Sequence, residues 1–410
     1  MLYVILLLLG LSPALGLAAT KTIGPGDLGA ATRSLSGGDV LILGDGTYTG
    51  CIDDTIPSGT AGSPTTIKAA NPGKAVLRAS CKAGDGNAII LIGMRGERFY
   101  ITLQDFGMDG AGMVASGITV RQPTTDGSTR SHHISLVNLE VKNLAHVDDP
   151  SGTFGFSMAA GATDLFLHGN HVHDIGMNAP SDAHFLSYCM YWAGTNSIVE
   201  DNEFDHCSGY GIHGFSNTAH GTSSAGGNTI RRNYIHDNGA IGVLLCPAGN
   251  TLANNIIANN GWHQRDPGGV QMGGYCSGIS ADNNTIVNNT VVGNKPYCIR
   301  LGNSGAGSAN TNTVKNNLCW QNSSDQIQVV NGSGNVLSNN LLGVNPQFAD
   351  NFRLASGSPA IDAGVDVGLP YQGRAPDIGA CETGTSACGG GGVPPPAPVP
   401  PPTHLRLLNQ

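Results

Sequence analysis

One short pattern returns along the chain and limits what it can fold into. Each copy has an apolar residue, three mostly polar residues, an Asn and then alternating positions, as in NSIVEDNEFDH, NTIRRNYIHDN and NTIVNNTVVGN. The aligned residues are Asn138, Asn170, Asn202, Asn233, Asn255, Asn289, Asn317 and Asn340, and Asp105 takes the same place one unit earlier. Their spacing runs from 22 to 34 residues. We interpret the shortest interval as the minimal repeat and the longer ones as repeats with loop insertions.

Each repeat contains three short strand signals separated by Gly, Asn and Ser turns. This pattern predicts one coil of a parallel β-helix, in which every strand pairs with its equivalents in the neighbouring coils, ~4.8 Å away. A single coil cannot bury its apolar side chains, but a stack builds a continuous core. The repeated Asn suits an inward ladder of amides. We therefore predict an all-β solenoid with three strands per coil and about ten coils. A β-sandwich with Asn-rich turns is the alternative, but it gives no reason to repeat one frame.

Composition agrees with a turn-rich β protein and excludes several other classes. Gly accounts for 60 of 410 residues, without the three-residue period of collagen. Apolar residues make up 40% and charged residues 12%, which argues against long disorder. The low content of Lys, Arg, Glu and Leu argues against coiled coils and helical bundles. A net charge of −9 with 20 basic residues gives no sign of nucleic-acid binding.

The two ends of the chain differ from the repeats. Residues 1–19 have an apolar core followed by small residues, which predicts a signal peptide and secretion. A membrane anchor is the alternative, but a spanning helix needs ~20 apolar residues, and we expect no membrane span. The β-helix domain is predicted to cover residues 20–382, followed by a Gly/Pro-rich linker at 383–402 and a short tail at 403–410.

The ten cysteines fit an oxidising compartment. Most are separated by roughly one repeat, so bridges between neighbouring coils are plausible, although sequence alone cannot fix the pairing. The pairs suggested by spacing are Cys51–Cys81, Cys189–Cys207, Cys246–Cys276, Cys298–Cys319 and, as a terminal loop, Cys381–Cys388.

Three stretches carry a resemblance to a known superfamily. They are GDVLILGDGTYTG at 38–50, SPTTIKAANPGKAVL at 63–77 and NFRLASGSPAIDAG…DIGACE within 351–382. The chain resembles the secreted right-handed parallel β-helix proteins of the pectate-lyase-like superfamily. The first two stretches resemble the opening coils of the family of chondroitinase B and alginate lyases, and the third is similar to a closing coil. The resemblance implies a right-handed helix and, for many members, action on polysaccharides.

One strand of each coil is expected to present a column of outward side chains. Alternation along these strands places the outward positions at Thr119, Ser157, Tyr191, His213, Leu244, Gln271, Arg300 and Gln328. By resemblance to pectate lyases, this sheet is the floor of a polysaccharide cleft, and the long turns leading into it form one wall. Tyr191, His213 and Arg300 are the candidate catalytic residues. The candidate substrate-binding residues are His184, Tyr188, Tyr210, Trp262, His263, Arg265, Gln271 and Lys295.

A second group of polar residues follows the Asn positions on three successive coils. It contains alternating His and acidic residues, with His173, Asp205 and His236 as candidate ligands for a divalent metal. The alternative, which we favour, is that these side chains form hydrogen bonds between coils.

Three functions remain open. The first is a lyase that eliminates the 4-linked sugar from a uronate, with Arg300 or His213 neutralising the carboxylate, His213 or Tyr191 taking the C5 proton and Tyr191 protonating the leaving oxygen. The second is a glycoside hydrolase, for which only Asp182 and Asp266 on the long turns offer carboxylates. The third is a non-catalytic carbohydrate-binding or adhesive solenoid. We expect an acidic polysaccharide as partner and a monomer; the sequence requires no cofactor and leaves calcium open.

Overall fold

Three parallel β-sheets run along the molecule. The computed structural model describes residues 18–84, 87–121, 129–146, 152–158, 161–180, 183–215, 226–263, 267–274, 279–304, 307–385 and 388. The predicted linker and tail lie almost wholly outside these ranges, as do residues 1–17 of the predicted signal peptide, together with Asp182, Arg265, Asp266 and Cys276. No helix in the described part of the chain is both long and apolar enough to cross a lipid bilayer.

The chain visits sheets I, II and III in turn, and each circuit makes one coil. Sheet I has 12 strands: Thr20–Ile23, Val40–Leu43, Thr65–Ala69, Phe99–Gln104, His132–Val137, Phe166–His168, Ile198–Glu200, Thr229–Arg231, Thr251–Ala253, Thr285–Val287, Thr313–Lys315 and Val336–Ser338. Sheet II has 11: Gly46–Tyr48, Ala75–Arg78, Gly107–Asp109, Glu140–Leu144, His171–Ile175, Glu203–Cys207, Tyr234–His236, Ile256–Ala258, Thr290–Val292, Leu318–Trp320 and Leu341–Leu342. Sheet III has 10: Ile52–Asp53, Ala88–Ile92, Ser116–Val120, Thr153–Met158, Ser187–Trp192, Ile212–Gly214, Ile241–Leu245, Gly268–Met272, Ile299–Leu301 and Ile327–Val329. The predicted right-handed parallel β-helix is therefore confirmed.

In the described part of the chain, two short helices accompany the sheets. Helix α1, Leu28–Thr32, lies beside the first strand of sheet III and buries Leu28 in the core. The Asp27 carboxylate caps it by accepting a hydrogen bond from the Ala30 amide at 2.9 Å. A single 3₁₀ turn, His184–Leu186, leads into sheet III.

Five-residue units build the corner between sheets I and II. In the segment that begins at Asn228, an inward Asn precedes the strand Thr229–Arg231, Arg232 turns the chain, and Asn233 opens the next unit. Arg232 has a φ of 53°, in the left-handed region. The equivalent turning positions are mostly Asn or Asp, the residues that tolerate this conformation most readily after Gly. The core receives the central residue of each strand, such as Ile230 and Ile235.

The structure contains three Asn ladders where the sequence analysis expected one. The expected ladder, between sheets I and II, runs through Asn170, Asn202, Asn233, Asn255, Asn289, Asn317 and Asn340. A second, between sheets III and I, joins Asn228, Asn250, Asn284, Asn312 and Asn335. A third, between sheets II and III, joins Asn238, Asn260, Asn294 and Asn322. In the first ladder, each amide before Asn340 donates to the side-chain oxygen of the next Asn and to a backbone carbonyl, and the Asn340 amide donates to the Val314 carbonyl, so these polar groups are paired.

The assignment of Asn138 and Asp105 to this ladder was wrong by one residue. Both have positive φ, 50° and 66°, and occupy the turning position before the ladder. Leu139 takes the ladder place instead, and its amide donates to Asn170 Oδ1 at 3.0 Å. The Asn138 amide bonds to Asp105 Oδ1 at 3.0 Å on the outside of the corner. An Asn suits both the turning position and the ladder position, so the residue type alone does not distinguish them.

Four of the predicted disulfides are present: Cys51–Cys81, Cys189–Cys207, Cys298–Cys319 and Cys381–Cys388. Cys246 is also disulfide-bonded. Cys189–Cys207 joins a strand of sheet III to a strand of sheet II, and Cys298–Cys319 joins the residue just before a strand of sheet III to a strand of sheet II; both lie inside the solenoid.

The segment after the last strand does not form the closing coil that the resemblance implied. Within the described residues it carries no strand, and it runs back along the outer face of sheet II. Asn316 Nδ2 donates to the Val365 carbonyl at 2.7 Å and Asn254 Nδ2 to the Ala380 carbonyl at 3.3 Å. Phe352 and Cys381 pack against Ile256. Within the described residues, this segment therefore covers sheet II from the coil of Ile256 onward, and Phe352 reaches the edge of Tyr234 in the coil before it.

Candidate functional site

The predicted outward column on sheet III is in register along the whole sheet. Thr119, Ser157, Tyr191, His213, Leu244, Gln271, Arg300 and Gln328 are paired strand to strand in that order. Tyr191 and His213 are direct neighbours, with ring centroids 5.3 Å apart. Arg300 lies three strands beyond His213, about 14 Å along the sheet at the usual strand spacing. The three candidate catalytic residues therefore share one face.

A second outward column, missed in the sequence, runs beside the first. It contains Phe154, Tyr188, Tyr210, Ile241, Gly268 and Tyr297. Its aromatic members stand two residues before the inward residue of the strand, as in YCMY, YGIH and YCIR. This pattern is visible in the sequence and would have identified Phe154 and Tyr297.

The middle of the face is an aromatic cluster around His213. The centroids of Tyr188, Tyr191 and Tyr210 lie 5.1, 5.3 and 5.1 Å from that of the imidazole, and Phe154 stacks on Tyr188 at 5.4 Å. His213 is only 8% exposed, and neither ring nitrogen has a hydrogen-bond partner. A buried polar group without a partner is rare and costly. The cluster thus holds an imidazole whose hydrogen-bonding capacity is unused.

Burial fixes the protonation states of the two candidate acid–base residues. It lowers the pKa of His213 to about 3, because the charged imidazolium would lie among aromatic rings. It raises the pKa of Tyr191 well above its usual value for the same reason. Near neutral pH the face therefore combines a neutral imidazole, which can accept a proton, with a neutral phenol, which can donate one.

A polar group lies further along the same face. The Tyr297 hydroxyl donates to Gln271 Oε1 at 2.6 Å, and the Arg300 guanidinium carbon lies 3.8 Å from the Tyr297 ring centroid. Arg300 Nε also donates to Gln328 Oε1 at 3.2 Å. Gln271 is fully buried, whereas Arg300 is half-buried and retains contact with solvent. This end of the face carries a positive charge that a carboxylate can reach.

Gly268 makes room for the Tyr297 ring. A Cβ built on Gly268 would lie 2.6 Å from the Tyr297 hydroxyl oxygen, with ring carbons closer still. We predict that Gly268→Ala displaces this rigid ring, disrupts its bond to Gln271 and lowers the free energy of unfolding by about 1–3 kcal/mol. Urea unfolding measures the change. Gly62→Ala is the control, because nothing lies within 4 Å of its Cβ position. Equal stability of the two variants would contradict this packing role.

The turns between sheets II and III bring three of the predicted binding residues together. The His184 and His263 rings stack with centroids 3.8 Å apart, and Trp262 lies 4.0 Å from His263. Trp262 is 46% exposed, and its Nε1 donates to the Asp237 carbonyl at 3.0 Å. Burial, with a contribution from His184, lowers the pKa of His263. The three rings form one aromatic wall.

The remaining predictions divide by exposure. Tyr188, Tyr210 and Gln271 are buried, whereas an open cleft floor was expected. Strand periodicity predicts which face of the sheet a side chain lies on, but not whether other residues cover that face. Lys295 is exposed on the turn that precedes Tyr297. Arg265, Asp182 and Asp266 lie outside the described residues, so their roles stay predictions.

The second predicted cluster lies on the uncovered part of sheet II. Register stacks Lys142, His173, Asp205 and His236 in one column, and Glu140, His171, Glu203 and Tyr234 in the next. The predicted hydrogen bonds between coils are present: His171 to Asp205 at 3.2 Å and His236 to Glu203 at 3.1 Å. The hydrogen bond with His173 lowers the pKa of Glu140 to about 2, despite partial burial. Binding of a metal by these groups stays a prediction.

Comparison with known proteins identifies the fold family. A family model described as "Right handed beta helix region" matches residues 113–291 and 155–342, which together span more than half of the chain. The chain belongs to the right-handed β-helix family. A search of curated protein sequences gave no significant match.

Several solved structures share the fold of this β-helix protein. It is similar to pectate lyase Pel9A, with a TM-score of 0.62 and 16% identity over 89% of this chain and 96% of the other. It is also similar to an alginate lyase from Paenibacillus sp. str. FPU-7, with a TM-score of 0.53 and 16% identity over 79% and 99% of the two chains. XylC, solved in complex with xylose, gives a TM-score of 0.52 and 12% identity over 75% and 70%. At these identities the likeness establishes the fold alone.

Proposed function

We propose that this protein is a secreted polysaccharide lyase that cleaves an acidic, uronate-containing polysaccharide by β-elimination on the outer face of sheet III. The observation that carries the proposal is His213, whose two ring nitrogens lack partners inside a cluster of Tyr188, Tyr191 and Tyr210. Aromatic rings stack on the apolar faces of sugars, and an unpaired imidazole can bond to their hydroxyl groups. Similar folds in a pectate lyase and an alginate lyase support the substrate class.

The proposed reaction uses the protonation states that burial favours. Neutral His213 takes the C5 proton of the uronate, and neutral Tyr191 donates its phenolic proton to the leaving oxygen at C4. The C4–O bond breaks as the double bond between C4 and C5 forms. Proton exchange with water then restores both side chains. The depressed pKa of His213 and the raised pKa of Tyr191 keep each group in its required form across the neutral range.

Arg300 does not neutralise the carboxylate of the reacting uronate in this proposal, although the sequence made it a candidate for that role. Its position about 14 Å from His213 is too far for it to act on the reacting sugar. It suits a uronate carboxylate further along the same polysaccharide, as an anchor beside Tyr297. The wall of His184, Trp262 and His263, in which Trp262 is exposed, supplies a further stacking surface.

Calcium does not fit the described part of this face. The described carboxylate on its outward columns is Asp53, at the far end, and Arg95 pairs with it at 2.5 Å. We therefore derive no step through calcium. Secretion by the segment 1–19, in line with the disulfides, and action as a monomer are parts of the same proposal.

An assay for unsaturated products tests the activity. Purified protein is incubated with pectate, alginate and glycosaminoglycans, and we expect ultraviolet absorbance from the new double bond to rise with at least one of them. Release of reducing ends without this absorbance would instead indicate a hydrolase. The absence of any product from all of these polymers would count against catalysis.

The pH dependence of the rate gives a second, independent prediction. His213 must be neutral to accept the proton, and its pKa is about 3 in the free protein. The acid limb of kcat/KM should therefore fall near pH 3, with no loss of activity between pH 7 and pH 5. An acid limb near the ordinary histidine value of about 6.5 would show that another group is the base.

The second candidate function is glycan binding without catalysis. The burial of His213 and Tyr210 favours it, because buried side chains have little contact with a polysaccharide on the surface. Glycan binding measured by calorimetry, unchanged in the double variant Tyr191→Phe/His213→Ala and without product, would support this alternative.

A further inference from the structure

A group of histidines and carboxylates lies on the outer face of sheet II, separate from the proposed lyase site. It lies on the coils that precede the part of sheet II covered by the C-terminal segment. At the boundary, the ring centroids of Phe352 and Tyr234 are 6.0 Å apart. Beyond that boundary the same two columns become mostly apolar, with Ile256, Ala258 and Val292. Within the described residues, the polar composition is thus confined to coils that this segment does not cover. Glu203 retains contact with solvent, whereas Asp205 and His236 are buried beside it.

His236 is held with one nitrogen facing two carboxylates. Its Nδ1 lies 2.7 Å from Asp237 Oδ2, and the Asp237 carboxylate accepts a proton from the ring. Its Nε2 forms a hydrogen bond with Glu203 Oε1 at 3.1 Å and lies 3.7 Å from Asp205 Oδ2. A divalent cation can take the place of the proton that Nε2 shares with these carboxylates, because metal binding displaces protons from its ligands. A carboxylate that orients a histidine in this way is the usual second partner of a metal-binding histidine.

The distances between the three groups suit a small divalent ion. Zinc binds nitrogen and oxygen ligands at about 2.0–2.2 Å in a tetrahedron, which places neighbouring ligand atoms about 3.3–3.6 Å apart. The separations of 3.1 and 3.7 Å around His236 bracket this range. On the other side of Asp205, His171 Nε2 lies 3.2 Å from Oδ1 and offers a further nitrogen. Stacking of Tyr234 on His236, with centroids 3.8 Å apart, restrains the imidazole.

In a neighbouring group, arginine side chains neutralise the carboxylates. His168, Glu200 and Asp201 also place three donor atoms close together. There, however, Arg232 bonds to both carboxylates at 2.9 and 2.7 Å, and Arg231 bonds to Glu200. Around His236 the described residues place no arginine or lysine against Glu203 or Asp205, since Lys142 bonds to Glu140.

We propose that Glu203, Asp205 and His236 bind a divalent transition-metal ion, with zinc as the metal that their mixed nitrogen and oxygen donors suit. Asp237 is a positioning residue that fixes the orientation of His236. The ion joins the strand Glu203–Cys207 to the strand Tyr234–His236 and so ties two neighbouring coils together. Because the ion binds the folded chain, it stabilises the protein by mass action. The site does not depend on the proposed lyase activity.

Calorimetric titration with zinc chloride alone tests this assignment on protein first stripped with a chelator. We expect one zinc ion per chain and a higher Tm when zinc is present. His236→Gln and Asp205→Asn should each abolish both effects, and Asp237→Asn should weaken binding about 10- to 100-fold. His168→Gln is the matched control and should bind zinc like the wild type.

Several outcomes would overturn the proposal. They are the absence of stoichiometric zinc binding by the wild type, tighter binding of calcium than of zinc, and loss of binding in His168→Gln together with retention in Asp205→Asn. Circular dichroism of each metal-free variant checks that a loss of binding does not come from unfolding. If one ligand variant fails to fold, the other ligand variant and the wild-type stoichiometry still decide.

Discussion

Replacing Asn233 with alanine should lower the free energy of unfolding by about 2–5 kcal/mol, the largest stability effect we expect from one side chain here. Asn233 is fully buried, and its Oδ1 accepts hydrogen bonds from the backbone and side-chain amides of Asn202 at 3.0 and 2.9 Å. Its Nδ2 donates to the Val199 carbonyl and to Asn255 Oδ1, both at 2.9 Å. Alanine leaves these buried partners unpaired, and each such group costs about 1–3 kcal/mol.

Denaturant unfolding of the purified variant measures this loss. Asn340→Ala is the matched control, because Asn340 closes the same ladder in the last coil and is only partly buried. Water can replace its partners there, so the cost should be clearly smaller. If the two variants lose equal stability, burial of the ladder is not the cause of its contribution.

Replacing Tyr191 with phenylalanine should reduce the kcat of the proposed lyase by about 10²–10⁴-fold, the usual contribution of a general acid. The substitution removes only the hydroxyl and keeps the ring, which stacks on Phe154 at 5.3 Å and on Tyr188 at 5.2 Å. Stability and KM should therefore change little. Steady-state kinetics on the substrate found in the product assay provide the measurement.

Tyr100→Phe provides the comparison for this variant, since Tyr100 lies on sheet I, away from the proposed site. Its kcat should equal that of the wild type. A rise in KM for Tyr191→Phe with an unchanged kcat would mean that the hydroxyl binds substrate and takes no part in proton transfer.

The sequence predicted those features that depend on local periodicity. The spacing of Asn170, Asn202 and Asn233 established the coils, and alternation within GIHG and CMYW placed Tyr191 and His213 side by side. Both conclusions follow from hydrogen-bond register, which one strand imposes on the next. The error at Asn138 has the same origin, because Asn suits two adjacent positions of the corner and only the backbone conformation distinguishes them.

Features that depend on distant parts of the chain were not predictable in this way. The contact between Asn254 and Ala380 joins residues that are 126 positions apart, and no local pattern encodes it. The burial of Gln271 and Tyr210 likewise depends on what covers the sheet. Tyr297 is a different case, because a local pattern does predict it: an aromatic residue stands two positions before the inward residue of the strand, as in YCIR.

The three ladders advance together, and this has a consequence for how such a protein can change over time. Asn228, Asn233 and Asn238 are each followed 22 residues later by the next Asn of their ladder, and the next step is 34 residues in all three. In these three coils, the eleven residues from the first to the third Asn of each triplet therefore keep a constant length, and the difference between 22 and 34 residues falls on the stretch that contains sheet III. Natural variation can lengthen, shorten or redecorate that stretch without disturbing the stacking of the coils. The segment with the three Asn ladders thus maintains the fold, while the stretch that contains sheet III can change its length and side chains and so its binding specificity.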